Sequence, residues 1–238
     1  MTPNESIVTY AVGPQSYKGL LLKASDVAAR AAVALLPDWR GQSALARDHA
    51  RHLVSLGCTV LIADLYGDGF TPDSPDQVGP MVQQLMAHRE QGVQGLVACI
   101  DRLRQEVAAG TPVVCLGFSA GGMIALDHGR SGADVAGIIV CTALLKTALP
   151  GTSARIGAPV LVIQGTQDQI SPMDSIQAVV REMDEAGNDV RFELLTQTAH
   201  AFDNPEAGND PTARLAYSAR SARRARQAIA SFLAEVIG

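Results

Sequence analysis

The chain has 238 residues, enough to bury a sizeable core in one domain spanning 1–238, and 47% hydrophobic against 18% charged residues excludes general disorder. A formal net charge of −5 leaves no dense basic surface for sequence-independent nucleic-acid binding, so no nucleic-acid partner is expected. The first residues, "MTPNESIVTYAVG", have neither the basic start nor the apolar centre of a signal peptide, and no apolar run is long enough to cross a bilayer. The expectations are no membrane partner and a cytoplasmic location.

In chain order, "SIVTYAV" and "YKGLLLK" read as a pair of strands, antiparallel at one edge of a sheet. Six further strands are expected at 31–36 (AAVALL), 58–64 (CTVLIAD), 112–118 (PVVCLGF), 135–141 (VAGIIVC), 159–165 (PVLVIQG) and 190–195 (VRFELL). Most are apolar at consecutive positions, as strands covered on both faces are. Helix-like stretches fall between them: about 43–56, a long one within 77–109, then 120–129, about 172–187 and 219–236. Repeated alternation of this kind predicts an α/β fold, a mainly parallel sheet with helices on both faces. In the last helix Ile229, Phe232, Leu233 and Val236 form one apolar face, while Arg220, Arg223, Arg224 and Arg226 cluster near its start as a solvated polar face or an anion site. Cys58, Cys99, Cys115 and Cys141 lie in apolar or periodic segments without the spacing of a zinc or redox pair, so buried free thiols are expected.

The stretch "LGFSAGG" places Gly117-x-Ser119-x-Gly121 between a strand and a helix. The glycines permit a sharp turn that exposes the serine hydroxyl, and the start of the following helix supplies backbone N–H groups, with Ala120 as one oxyanion donor. A serine that merely caps the helix is the competing reading. A nucleophilic serine needs a base, itself oriented by a carboxylate. Asp168 follows the strand at 159–165, although a turn aspartate bonding its own backbone would sit there too. Asp174 is explained by a helix start, with Ser171 as N-cap and Pro172 at the first helical position. His200 follows the last strand, completing the order serine, acid, histidine. His49, His52, His88 and His128 fall on helices and are assigned surface or helix-terminal charge roles.

The second oxyanion donor is expected from the loop "PDWRGQS", with the backbone N–H of Trp39 as candidate. Asp38 either touches the nucleophile region or pairs with Arg40; Trp39 either lines the pocket or packs on the loop. From loop position, Tyr66, Phe70, Met81, Leu85 and Phe202 are candidate pocket residues, with core packing as the alternative for each. The segment 66–95 and the turn-rich loop 203–217 are the stretches expected to shape the pocket.

At these residues the chain resembles the dienelactone hydrolase family of the α/β-hydrolase superfamily, through "PDWRGQ", "GCTVLIADLYGDG", "GFSAGG", "VLVIQGTQDQISP" and "AHAFDNPEA". The resemblance implies an α/β-hydrolase fold with roughly eight strands and no large cap domain. It further implies no metal or other cofactor, and hydrolysis of ester or lactone bonds through a covalent acyl-enzyme. Three positions depart from the family: serine replaces its cysteine nucleophile at Ser119, Pro37-Asp38 stands where the first loop commonly has His-Glu, and "AFDNP" after His200 lacks the arginine that holds a substrate carboxylate in some relatives. The expected function is therefore a serine hydrolase of a small or medium ester, lactone or thioester, with a small molecule as its partner. An acyltransferase or cyclase using the same triad, and a binding protein that has lost catalysis, are the alternatives. Nothing in the sequence distinguishes a homodimer interface from a core face.

Overall fold

The computed structural model describes residues 3–24, 28–72, 77–146, 148–149, 151–153, 155–210 and 212–238. The elements in chain order are β1 (Asn4–Val12), β2 (Gln15–Lys23), β3 (Ala31–Leu36), α1 (Ala44–Ser55), β4 (Cys58–Ile62), α2 (Val78–Ala87), α3 (Arg89–Arg104), β5 (Val113–Phe118), α4 (Ala120–Arg130), β6 (Gly137–Cys141), β7 (Val160–Gly165), α5 (Met173–Glu185), β8 (Val190–Leu195) and α6 (Ala219–Ile237). Among the described residues eight strands form one sheet in the order β1-β2-β4-β3-β5-β6-β7-β8. β2 runs antiparallel to both β1 and β4, and every other pairing is parallel. β1 and β2 form the expected edge hairpin, closed by Gly13 and Pro14, with Gly13 at a φ of 55°.

The consecutive apolar positions follow from what lies above and below the sheet. In β3, Ala32, Ala34 and Leu36 face the layer that α3, α4 and α5 help to form, while Ala31, Val33 and Leu35 face the layer under α1 and α6. Ile229, Phe232 and Leu233 of α6 are buried in that second layer, as their spacing predicted. Arg220, Arg223 and Arg224 are exposed, and Arg226 pairs with Asp48, so the arginine cluster is a solvated face. All four cysteines are free and buried, and burial pushes the Cys58 thiol up to about 11 and Cys99 up to about 12.

Two expectations about helices are corrected. The long helix within 77–109 is two helices, α2 and α3, broken at His88, whose φ of −120° and ψ of 42° lie outside helical values. Ser171 does not cap α5, whose N-cap is Pro172; its buried hydroxyl donates to the Ala143 carbonyl at 2.8 Å and accepts from the Leu145 N–H at 3.0 Å.

The chain passes from β3 out to β4, then returns across β3 to β5, which makes the β3/β5 boundary the point where strand order reverses. Open α/β sheets assemble their sites there, beyond the carboxyl ends of the strands.

Candidate active site

Ser119 occupies that point, directly after β5. Its backbone has a φ of 51° and a ψ of −114°, a left-handed conformation that costs a non-glycine residue about 1–3 kcal/mol and persists only where its surroundings impose it. Three hydrogen bonds do so: the Ser119 N–H donates to the Cys141 carbonyl at 3.1 Å, and its own carbonyl accepts from Met123 at 3.2 Å and Leu144 at 3.1 Å. The motif glycines are steric requirements. A Cβ on Gly117 would collide with the Gly121 backbone, and one on Gly121 would strike the Pro37 and Leu36 carbonyls. The capping reading fails, since the Ser119 side chain makes no cap hydrogen bond.

The Ser119 hydroxyl is instead 3.0 Å from His200 Nε2, and His200 Nδ1 is 2.7 Å from Asp168 Oδ2. All three residues are buried. Asp168 is held by more than the histidine: Oδ1 accepts from the Ile170 and Ser171 N–H groups at 2.8 and 2.9 Å, and Oδ2 also accepts from the Gln164 amide at 2.8 Å. The turn-aspartate reading and the triad reading thus describe one side chain, with one oxygen on its own turn and the other on the imidazole. Gln164 was not foreseen, although a polar residue inside the apolar run "VLVIQG" was its visible signal.

His200 is fixed by the loop 203–217, of which Pro211 lies outside the described residues. His200 forms a parallel bridge with Leu215, its carbonyl accepts from Ala216 at 3.1 Å, and Phe202 accepts from Ser218 at 2.9 Å. This loop supports the histidine, and none of its described residues lines the cavity of about 600 Å³ beside Tyr66 and Leu85. Phe202 is fully buried in the layer under α1 and α6, so its place is the core rather than a pocket.

His49 also departs from its expected surface role. It is buried, its ring stacks on Phe118 with centroids 4.2 Å apart, and Nε2 lies 2.9 Å from Asp203 Oδ2. Burial pushes the Asp203 carboxyl up, but the His49 hydrogen bond and charge outweigh it and leave its pKa below the ordinary value. His128 does sit in the last turn of α4, yet burial lowers its pKa and disfavours the charge assigned to it there.

Of the first-loop candidates, Asp38 pairs with Arg40, whose guanidinium lies 2.6 Å from Asp38 Oδ2 and 3.5 Å from Glu206. Neither lines the cavity of about 600 Å³ beside Tyr66 and Leu85. Trp39 is half-buried under the Arg40 guanidinium, and its carbonyl accepts a 2.6 Å hydrogen bond from the Tyr66 hydroxyl. Ala120 begins α4, so its N–H is among those a helix leaves without an internal acceptor. Tyr66, Phe70, Met81 and Leu85 line a cavity of about 600 Å³ between the ends of β3 and β4 and the helices α2 and α3. Positions 73–76 of the expected pocket segment lie outside the described residues.

The dienelactone hydrolase family model matches residues 18–237. The chain belongs to the dienelactone hydrolase family. It is therefore a hydrolase on an α/β-hydrolase fold. It is similar to a structure described as m3DLH, with 30% identity over all of both chains and a TM-score of 0.91. It is also similar to a dienelactone hydrolase-like promiscuous phosphotriesterase from metagenomic libraries, with 26% identity over all of both chains and a TM-score of 0.91. Esterase 2 of Thermogutta terrifontis, at 18% identity over 99% of this chain and 96% of that one, shares the fold with a TM-score of 0.69. No curated protein matches the sequence. Among the described residues, no helix is long and apolar enough to cross a membrane, and no group of three or more His, Cys, Asp or Glu side chains could hold a metal.

Proposed function

We propose that this family member is a serine hydrolase that cleaves carboxylic esters through an acyl-enzyme. The observation that carries the reading is the chain of contacts from Ser119 through His200 to Asp168, at 3.0 and 2.7 Å, on a backbone turn strained at the serine. Ser119 Oγ attacks the ester carbonyl carbon while His200 Nε2 takes its proton. The carbonyl oxygen becomes an oxyanion, held by the Ala120 N–H and, as the second donor, the Trp39 N–H. When the intermediate collapses, His200 returns the proton to the departing alcohol. Water then attacks the acyl-enzyme along the same proton path and releases the acid. Asp168 accepts from His200 Nδ1 throughout, which keeps Nε2 the basic nitrogen and stabilises the imidazolium. The neighbour at 26% identity that is described as a promiscuous phosphotriesterase supports a site open to ester substrates.

The test is covalent. A fluorophosphonate probe should add to Ser119 with loss of fluoride, and mass spectrometry should find the adduct on the peptide containing it. Ser119→Ala should remove the adduct and ester hydrolysis together. A folded wild-type protein that hydrolyses esters without labelling at Ser119 would sink the assignment.

A further inference from the structure

The 600 Å³ cavity falls within the range that small-molecule sites occupy, and its chemistry differs from that of the polar triad. Its walls are more apolar than polar, with Tyr17, Phe70, Met81, Leu85, Leu96 and Ile124 among them, and Gln15, Gln77, Gln84 and Gln91 are uncharged polar residues on the lining. Among the described lining residues there is no lysine, arginine or glutamate. His88 lies exposed at the break between α2 and α3. Among the described lining residues the one carboxylate, Asp64, is buried and accepts four backbone N–H groups, from Lys18, Tyr66, Gly67 and Gly69, at 2.7 to 3.1 Å. Its hydrogen-bonding capacity is thus spent inside the fold, while its negative charge still opposes any anion brought into the cavity.

Position relative to the triad says which part of an ester enters. Asp168 and His200 follow β7 and β8, on one side of β5, whereas the cavity lies at the ends of β3 and β4, on the other. His200 must reach the oxygen of the departing alcohol, so the alcohol leaves on its side and the acyl group points away from it. The cavity is on that far side, and two of its lining residues lie close in the chain to the catalytic loops. Leu36 is the last residue before the loop carrying Trp39, and Ile124 lies one turn into the helix that Ser119 starts.

We infer that this cavity is an acyl chamber for uncharged, predominantly apolar acyl groups, and that it selects against acyl groups ending in a carboxylate. The inference rests on the serine-hydrolase reading for the word acyl, and on the cavity alone for the preference for neutral ligands.

Two measurements separate these dependencies. With p-nitrophenyl esters, kcat/KM should be roughly tenfold or more higher for octanoate than for acetate, and Met81→Trp should cut that octanoate-to-acetate ratio by a similar factor. With Ser119→Ala, which cannot turn substrate over, calorimetry should show methyl octanoate binding roughly tenfold or more tighter than monomethyl suberate, its equivalent with a terminal carboxylate. Should Met81→Trp fail to fold, Gln84→Arg on the exposed face of α2 serves instead, and it should shift binding toward the suberate monoester. Equal or tighter binding of the suberate monoester to Ser119→Ala, or a chain-length ratio indifferent to Met81→Trp, overturns the chamber even if Ser119 is a nucleophile. Absence of labelling and turnover, with selective methyl octanoate binding that Met81→Trp abolishes, defeats the mechanism while supporting the neutral-ligand site.

Discussion

On one side of Ser119, the loops after β7 and β8 carry a closed polar chain in which His200 and both oxygens of Asp168 are hydrogen-bonded and buried. On the other side, the segment between β4 and β5 offers α2 and α3 as walls, with Gln84 and His88 exposed and Phe70 47% exposed beside the cavity. The first side has one low-energy arrangement, because moving any member leaves a buried polar group unpaired. The second side is held by non-directional apolar contact, which tolerates changes of shape and size. Under the proposed mechanism the first region carries the chemistry and the second the selectivity, so substitutions in the two should fail in different ways.

The largest effect should come from Asp168→Asn. An amide N–H₂ facing His200 Nδ1 would make that nitrogen the acceptor and leave the proton on Nε2, where it cannot accept from Ser119. A loss of roughly 10⁴ in kcat is expected, uniform across acyl lengths, by analogy with the same change in the triad of a serine protease. Steady-state kinetics on acetate and octanoate esters would check it. A loss confined to long acyl groups would mean that the polar side also sets selectivity.

The same division explains what could be read from the sequence. Ser119, Asp168 and His200 were legible because each lies within five residues of the end of a strand, and a parallel sheet brings such positions to one edge. Their local signals, a glycine pair around a serine and turn residues after strands, are short-range. The His49–Asp203 pair was not legible, since it joins residues 154 positions apart and its imidazole is covered by Phe118 stacking on the ring. Phe202 was misplaced because loop position gives no face; next to Ala201 at a φ of 57° it enters the core layer under α6. The break at His88 left no proline or glycine signature at the break itself, so the pattern read as one helix. The cavity was legible as a list of residues but not as a neutral chamber, because its character lies in which side chains converge across β2, β4, α2 and α3.

An intermediate effect, on stability, is expected at Asp203. Its carboxyl faces His49 directly, with His200, Arg40 and Cys141 within electrostatic reach. Because its folded pKa lies below the unfolded one, the stabilisation is complete above the unfolded value of about 4 and is lost as pH falls through the folded value. Asp203→Asn should therefore lower unfolding free energy by roughly 1–3 kcal/mol at pH 7 and by progressively less as pH drops below about 4. Urea unfolding at the two pH values measures the gap. A gap that stays constant with pH would remove the charge of Asp203 from the account and leave only its shape.

The smallest effect should be the most discriminating, because Tyr66 links the cavity to the loop proposed to supply the second oxyanion donor. Its ring lines the cavity, and its hydroxyl donates to the carbonyl of Trp39, whose N–H is the second oxyanion donor in the proposed mechanism. Tyr66→Phe deletes the hydrogen bond and leaves the wall almost unchanged. A net hydrogen bond of about 1 kcal/mol corresponds to a loss of about fivefold in kcat/KM if the bond positions the oxyanion loop. Since the oxyanion is common to every ester, that loss should be equal for acetate and octanoate. A loss seen only with octanoate would instead place the hydroxyl's role in the chamber, and no loss with either would detach the loop's position from Tyr66. The ratio between two substrates, measured on one variant, thus decides which of the two regions this hydroxyl serves.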